Sequence, residues 1–406
     1  MDVEESAEES KFRAQVRDWL ELHVAGDRYR FRDRAHGETD AELMERSRPH
    51  QALLAEHRWA AITWPEQYGG RGGTATDAAI FAEEAAQQRL LMGMFAVGVR
   101  MAGPTIIAHG TDAQKERFLP PMLRGDEVWC QLFSEPGAGS DLAGLSTRAE
   151  RDGDEWVVNG QKVWTSGADY SDYGILLART DAGQPKHRGI SYFLIDMHQP
   201  GVDVRPLRQI TGSSHFSEVF LTDARVPDAN LLGELNGGWA VAMTTLANER
   251  AFMGGGPSGP GVTDLIDLAR SLGAASDPVV RQGLATAYSR AQIMRFMGLR
   301  VRTATSRGEA PGPEASVLKL VAAWNLKANS ELAMQIEGAA GMLDDSDAPE
   351  HGRWQQTLLQ ATSLRIAGGS DEIQRNLAGE RTLGLPPETR LDKGIAFRDI
   401  PRGTTR

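Results

Sequence analysis

The spacing of apolar residues changes twice along this chain, near Val128 and again after Gly237-Gly238, and any fold must accommodate both changes. Before the first change the period is helical: Phe12, Val16, Trp19 and Leu20 form one stripe within a charged stretch. The cluster Gly69-Gly70-Arg71-Gly72-Gly73 predicts a loop, followed by a helix from Thr76 to Arg89. Another helix is expected to begin around Asp112 and to end at Pro120-Pro121. Met92, Gly93, Met94 and Ala96 are expected on a helix between these two. From Val128 to about Leu235 the pattern is that of strands. Trp156-Val157-Val158 and Lys162-Val163-Trp164 flank Asn159-Gly160, which predicts a hairpin turning at those two residues. Gly174 to Thr180, Ile190 to Met197 and Glu218 to Leu221 read as further strands, with no room between them for crossover helices. Beyond Gly238, helices are expected at Trp239 to Arg250, Pro278 to Arg307 and Glu314 to Ile336, each apolar on more than one side, as in a bundle. The expected architecture is α+β and multidomain: a helical domain over 1–128, a β domain over 129–235 and a helical domain over 236–406, with the tail from Pro386 loose at its end.

Composition narrows the function. Forty-four Lys and Arg against 55 Asp and Glu give a net charge of −11, and no basic stripe is present of the kind that nucleic-acid binding needs. The single Cys130 permits no intrachain disulfide and no cysteine-based metal site. The first residues, Met1 to Ser6, are acidic where a signal peptide would be basic and then apolar. The longest apolar run, Leu90 to Val99, falls far short of the roughly 20 residues needed to cross a bilayer. A soluble, cytoplasmic protein is expected.

Four segments compete for a chemical reading. Gly254, Gly256 and Gly259 satisfy Gly-x-Gly-x-x-Gly, but they follow an expected helix and enclose Pro257, whereas a dinucleotide turn needs a preceding strand; the match is a decoy. The run Gln131-Leu132-Phe133-Ser134-Glu135-Pro136-Gly137-Ala138-Gly139-Ser140-Asp141 places amide and hydroxyl donors in a glycine-rich loop that a heteroaromatic or phosphate ligand could approach. An ordinary Pro-Gly turn is its structural alternative. Trp164-Thr165-Ser166-Gly167 could wall one face of a planar cofactor or simply fill a core. Finally, Gly368-Gly369-Ser370-Asp371-Glu372-Ile373-Gln374-Arg375 reads as a loop opening a helix with Ser370 as its cap. The free amides there suit an anion, which Asp371 and Glu372 would oppose.

The last three segments, in this order and separation, resemble the acyl-CoA dehydrogenase family over nearly the whole chain. The resemblance implies a helical N-terminal domain, a barrel-like or orthogonal-sheet middle domain and a C-terminal four-helix bundle. It also implies FAD as cofactor and oxidation of an acyl-CoA thioester to the trans-2-enoyl-CoA. Gln131, Phe133, Ser134, Trp164 and Ser166 match positions around the flavin ring, and Ser370 and Glu372 match positions near its ribityl and pyrophosphate part. Gln335 and Gly338 match residues that reach the FAD of a neighbouring subunit, and Ser140 matches a contact to the CoA arm. The family's Arg-x-x-Phe-Gly segment reads here Ala269-Arg270-Ser271-Leu272-Gly273, with Arg270 as counterpart and the Phe missing. Family members are usually homotetramers, built as dimers of dimers, that pass electrons to an electron-transfer flavoprotein.

The reaction needs a carboxylate close to Cα of the thioester. Many family members carry it as a Glu at the position occupied here by Gly368, and a glycine cannot take a proton. A minority, resembling isovaleryl-CoA and long-chain acyl-CoA dehydrogenases, carry it on a helix at the start of the C-terminal domain. Leu246-Ala247-Asn248-Glu249-Arg250 matches that pattern, so the resemblance assigns Glu249 as base, with Arg250 beside it at the substrate, and leaves Gly368 its backbone N–H for the thioester carbonyl. Two alternatives stay open: a flavin monooxygenase or oxidase on the same scaffold, and a non-catalytic partner subunit of a heteromeric dehydrogenase.

Overall fold

The structure is a computed structural model that describes every residue except 1–4, 25–38, 89, 91–92, 254–258, 307–313, 344, 390–391 and 402–406. The described residues form two compact units, one drawn from Ala7–Glu249 and Thr389–Arg406, the other from Met1–Ser6 and Arg250–Glu388.

The first unit begins with helices α1 (Ala7–Val24), α2 (Asp40–Glu56), α3 (Ala75–Gln87), α4 (Gly103–His109) and α5 (Asp112–Arg124). Three of them start on reciprocal caps: Thr39 with Glu42, Thr74 with Asp77, and Thr111 with Gln114. Helix α5 runs through Pro120 and Pro121 to a left-handed Gly125, where the sequence predicted a break. Gly93 lies in a bend and Met94 in a turn, so these two precede the helix, whereas Ala96 is helical and leads into a π-helical turn, Val97–Ala102; Met92 is outside the described residues.

Seven strands among the described residues form one sheet: β1 (Trp129–Leu132), β2 (Arg148–Asp152), β3 (Glu155–Ser166), β4 (Tyr173–Arg179), β5 (Ile190–Asp196), β6 (Val202–Leu207) and β7 (Phe216–Pro227). The order is β1-β4-β2-β3-β7-β6, with β5 also on β4; β1 and β4 are parallel and no α-helix intervenes between them. Asn159-Gly160 is not the hairpin turn. That turn is Gly153-Asp154, between β2 and β3, while Asn159-Gly160 lies mid-strand where the β3–β7 register shifts. Asn159 exchanges two 3.0 Å hydrogen bonds with Asp223 across this bulge. At Gly160 a Cβ would come within 2.3 Å of Thr147 Oγ1, so the glycine serves close approach.

One face of the sheet packs on the N-terminal helices through Phe133, Leu145, Ile175, Tyr192 and Leu194. The other face carries Leu132, Trp156, Val158, Phe193 and Val219. Residues 392–401 of the C-terminal tail belong to the first unit. Ala396 bridges Pro185, and the Phe397 ring sits 3.4 Å from the Arg179 guanidinium.

Helix α6 (Gly238–Met253) runs from the first unit into the second. The second unit continues with α7 (Val262–Ser271), α8 (Pro278–Ser306), α9 (Glu314–Glu337), α10 (Arg353–Ala361) and α11 (Asp371–Thr382). Its core joins Leu265, Leu268, Ala287, Ala333, Ile336 and Trp354. Gly259 lies in a bend beyond α6, and Gly254 and Gly256 of the decoy motif are outside the described residues. No helix among the described residues is long and apolar enough to cross a membrane.

Candidate active site

In the first unit, β1 ends at Leu132 and leads directly into the glycine-rich loop. Lys162, fully buried on β3, holds that loop by donating to the Phe133 carbonyl at 3.1 Å and to Glu135 Oε1 at 2.9 Å. Glu135 also accepts from the Ser146 and Thr147 amides at 2.6 and 2.9 Å. Burial alone would raise the Glu135 carboxyl; Lys162 and those amides outweigh it and hold the group below its ordinary value. Burial pushes the Lys162 ammonium down, and Glu135 only partly offsets this. No local sequence motif marks this pair. Its signal was Lys162 itself, two-residue steps along the strand from the inward-facing Trp156 and Val158, a position that demands an acid.

Val163 donates its amide to the Ser134 carbonyl at 2.9 Å, and this ties the loop to the next irregularity in β3. There Trp164 adopts φ +61° and leaves its indole 61% exposed. Left-handed backbone at a bulky residue costs roughly 1–2 kcal/mol. An apolar ring held outward at that cost suits a planar ligand that would cover it. Beside it the buried Thr165 Oγ1 has no partner among the described residues, and Ser166 is half-buried. The Phe133 ring points inward, edge-on to Tyr192 at 5.8 Å, so this residue offers the surface its backbone only. Ser140 is exposed. Lys186 holds the next residue, Asp141, at 2.9 Å and also grips Asp392 of the tail, beside a cavity of about 600 Å³ that Thr147 and Gln161 help to line.

Gln131 and Glu249 meet. Gln131 Nε2 donates to Glu249 Oε2 at 3.4 Å, and both side chains are half-buried. Helix α6 is positioned here by Thr245, one turn before Glu249, whose hydroxyl meets Thr105 and Tyr192 at 3.0 Å each.

In the second unit, Ser370 caps α11 by accepting from the Ile373 amide at 3.4 Å. The preceding Gly368 and Gly369 are left-handed, at φ +65° and +91°. Gln374 Nε2 donates to the Gly368 carbonyl at 2.9 Å, and Lys319 of α9 donates to that of Gly369 at 2.6 Å. Arg365 pairs with the buried Asp371 at 2.7 Å. Glu372 is exposed, 3.8 Å from Arg375. Gln335 and Gly338 are exposed at the end of α9. Arg270 is exposed on α7 and pairs with Asp267 at 3.4 Å. Arg250, half-buried, opens this unit.

Family models match the chain in three consecutive parts: acyl-CoA dehydrogenase N-terminal domain over residues 6–126, middle domain over 130–224 and C-terminal domain over 236–383. The chain belongs to the acyl-CoA dehydrogenase family. It is thus an enzyme of the oxidoreductase class. Among its relatives is the acyl-CoA dehydrogenase IpdE1 of Mycobacterium tuberculosis, 41% identical over 396 residues that cover 96% of this chain and 99% of the relative. The solved structure titled Tcur3481-Tcur3483 steroid ACAD aligns with a TM-score of 0.82 at 32% identity, covering 96% of this chain and 100% of that one. The ChsE4-ChsE5 complex from Mycobacterium tuberculosis aligns with a TM-score of 0.78 at 30% identity, covering 96% and 100%. The carboxylate that meets Gln131 is Glu249, and the loop before α11 carries no side chain at Gly368.

Proposed function

We propose that this chain removes a hydrogen from each of Cα and Cβ of an acyl-CoA thioester, with Glu249 as the base. The observation that carries the reading is the half-buried Glu249 carboxylate against Gln131, in a chain with a glycine at the alternative base position. The α-hydrogen of a thioester is weakly acidic, so a carboxylate must take it while donors stabilise the charge developing on the carbonyl oxygen. Glu249 takes that proton on its carboxylate, and Gln131 orients the carboxylate through its amide. The Gly368 N–H is the proposed donor to the thioester oxygen, on a loop whose carbonyls Lys319 and Gln374 hold.

The exposed Trp164 indole, the unpartnered Thr165 hydroxyl and the nearby Ser134, Ser166 and Gln131 fit FAD as cofactor. FAD, when bound, supplies the acceptor for the hydride that leaves Cβ. Ser370, Glu372, Gln335, Gly338 and Arg270 are its proposed further contacts, the last three to the cofactor of a neighbouring chain. Ser140 and Arg250 are proposed to face the CoA thioester. An electron-transfer flavoprotein is the proposed final acceptor. The lack of a side chain at Gly368 leaves room for a bulky acyl group, a reading supported by the relative titled a steroid ACAD.

Exposed Val279, Tyr288, Ile293 and Phe296 on α8 support assembly with further chains. Identical copies are the first reading. The two-component titles of the solved relatives favour a second, in which another chain type completes the assembly. Native mass spectrometry of the chain purified alone decides between them: a homotetramer supports the first, and a monomer or dimer supports the second.

The functional test is anaerobic mixing of FAD-loaded protein with acyl-CoAs. Bleaching of the flavin in the wild type and its loss in E249Q, with FAD still bound, is the expected result. Bleaching that persists in E249Q removes Glu249 from the reaction.

A further inference from the structure

From Leu90 to Thr111 the chain carries a single Asp, Glu, Lys or Arg, and it is Arg100. Arg100 lies on the π-helical turn, half-buried, between neighbours Gly98, Val99, Met101, Ala102 and Gly103 that are all buried. No carboxylate, carbonyl or aromatic ring meets its guanidinium among the described residues. Burial pushes its pKa down, and no acid acts in the other direction. A guanidinium in such a place gives up hydration and receives nothing from the protein in return. A ligand that brings an anion would supply what is missing.

The placement of this turn says which ligand. The Gly103 amide closes it on the Gly98 carbonyl, one residue wider than an α-helical turn, a feature that recurs at functional sites. Gly98 lies against β1, where a Cβ would come within 3.4 Å of Trp129 Cδ1. On the other side, Thr105 meets Thr245 of α6 at 3.0 Å and His109 meets Thr244 at 2.9 Å. These two pairs place the helix that follows Arg100 against α6 at Thr244 and Thr245, one turn before Glu249. Arg100 is about 7 Å along its helix from Thr105, and Glu249 is about 6 Å along α6 from Thr245. The helix of Arg100 therefore flanks both elements, β1 and α6, that bring Gln131 and Glu249 together.

We infer that Arg100 recognises a carboxylate on the acyl part of the substrate, so that this enzyme takes CoA thioesters of dicarboxylic acids in preference to neutral acyl chains. The inference rests on the acyl-CoA reading above and adds the acyl group's chemistry to it. A planar guanidinium with its donors unused matches a carboxylate in two parallel hydrogen bonds, which a lysine cannot reproduce.

The test uses CoA thioethers, which bind without reacting, in matched pairs that end in a carboxylate or in a methyl group, over a series of chain lengths. Calorimetry on the FAD-loaded protein is expected to show at least about tenfold tighter binding of the carboxylate member at one or more lengths. R100Q is expected to bring that ratio close to one, and R100K to keep part of it. FAD content and unfolding midpoint report whether each variant is folded, and R100K carries the comparison if R100Q is not. The inference is overturned if the wild type shows no preference at any length, or if the variants keep it in full. Flavin bleaching by the corresponding thioesters is read in parallel. A preference that depends on Arg100 without bleaching of any thioester would sink the dehydrogenase reading while leaving the carboxylate site in place.

Discussion

Two glycine-rich loops, one in each unit, are braced by a lysine whose ammonium burial pushes down, and the two lysines are set differently. Lys162 under the Ser134 loop is fully buried, faces Glu135 at 2.9 Å and also donates to a backbone carbonyl. Lys319 beside the Gly368 loop is half-buried and donates to the Gly369 carbonyl at 2.6 Å, with Asp371 and Glu372 acting on it only through their charge. The first is a closed ion pair inside the sheet. The second is a single charge-assisted bond that leaves two ammonium hydrogens for other partners. The contrast teaches that the first loop is held by the core of its unit, whereas the second hangs on one side chain from a neighbouring helix and on Gln374.

Breaking the first brace is expected to have the largest effect. Lys162→Met leaves a buried carboxylate without its cation and is expected to lower stability by about 3–5 kcal/mol, read from the urea midpoint. The double variant K162M/E135L is expected to recover much of that loss. A single variant as stable as the wild type would show that the pair is not closed. The Glu135 carboxyl is held below its ordinary value, so its stabilising contribution is complete above the unfolded carboxylate range and disappears as pH falls through its own lowered value. Unfolding midpoints measured on acidification should therefore fall more steeply in the wild type than in the double variant.

The second brace is expected to yield less in stability and more in function. Lys319→Met removes one hydrogen bond from a charged donor, worth about 1.5–3 kcal/mol. It is expected to lower kcat by about tenfold with KM little changed, and Lys319→Arg should restore part of the rate. A loss confined to stability would make Lys319 a packing residue only. Smallest of all is Gln131→Leu. The 3.4 Å bond to Glu249 is long, so its removal is expected to cost under about 1 kcal/mol in stability and a few-fold in kcat.

Periodicity alone made the helical, sheet and helical succession legible, because each element's apolar spacing is local information. It failed at Asn159-Gly160, where a turn-forming dipeptide serves a bulge because Thr147, just before the neighbouring strand, lies too close for a side chain. It failed again at Pro120-Pro121, in a helix whose capped start and left-handed Gly125 set its limits. The tail's pairing with Pro185 and the meeting of Gln131 with Glu249 join residues far apart in the chain, and no local pattern encodes such closures. Glu249 became a candidate through the resemblance, since a Glu-Arg pair on a helix is ordinary by itself. Phe133 shows the reverse: its match to a flavin-lining position was visible, and its inward ring was not.

Proton removal by the carboxylate beside Gln131 is the central proposed step. Its most direct measurement is exchange of the acyl-CoA α-hydrogen for deuterium in heavy water, followed by mass spectrometry under anaerobic conditions. The wild type is expected to exchange it, and E249Q, folded and with FAD bound, is expected to leave it in place. Exchange at the wild-type rate in E249Q would mean that another group on this chain takes the proton.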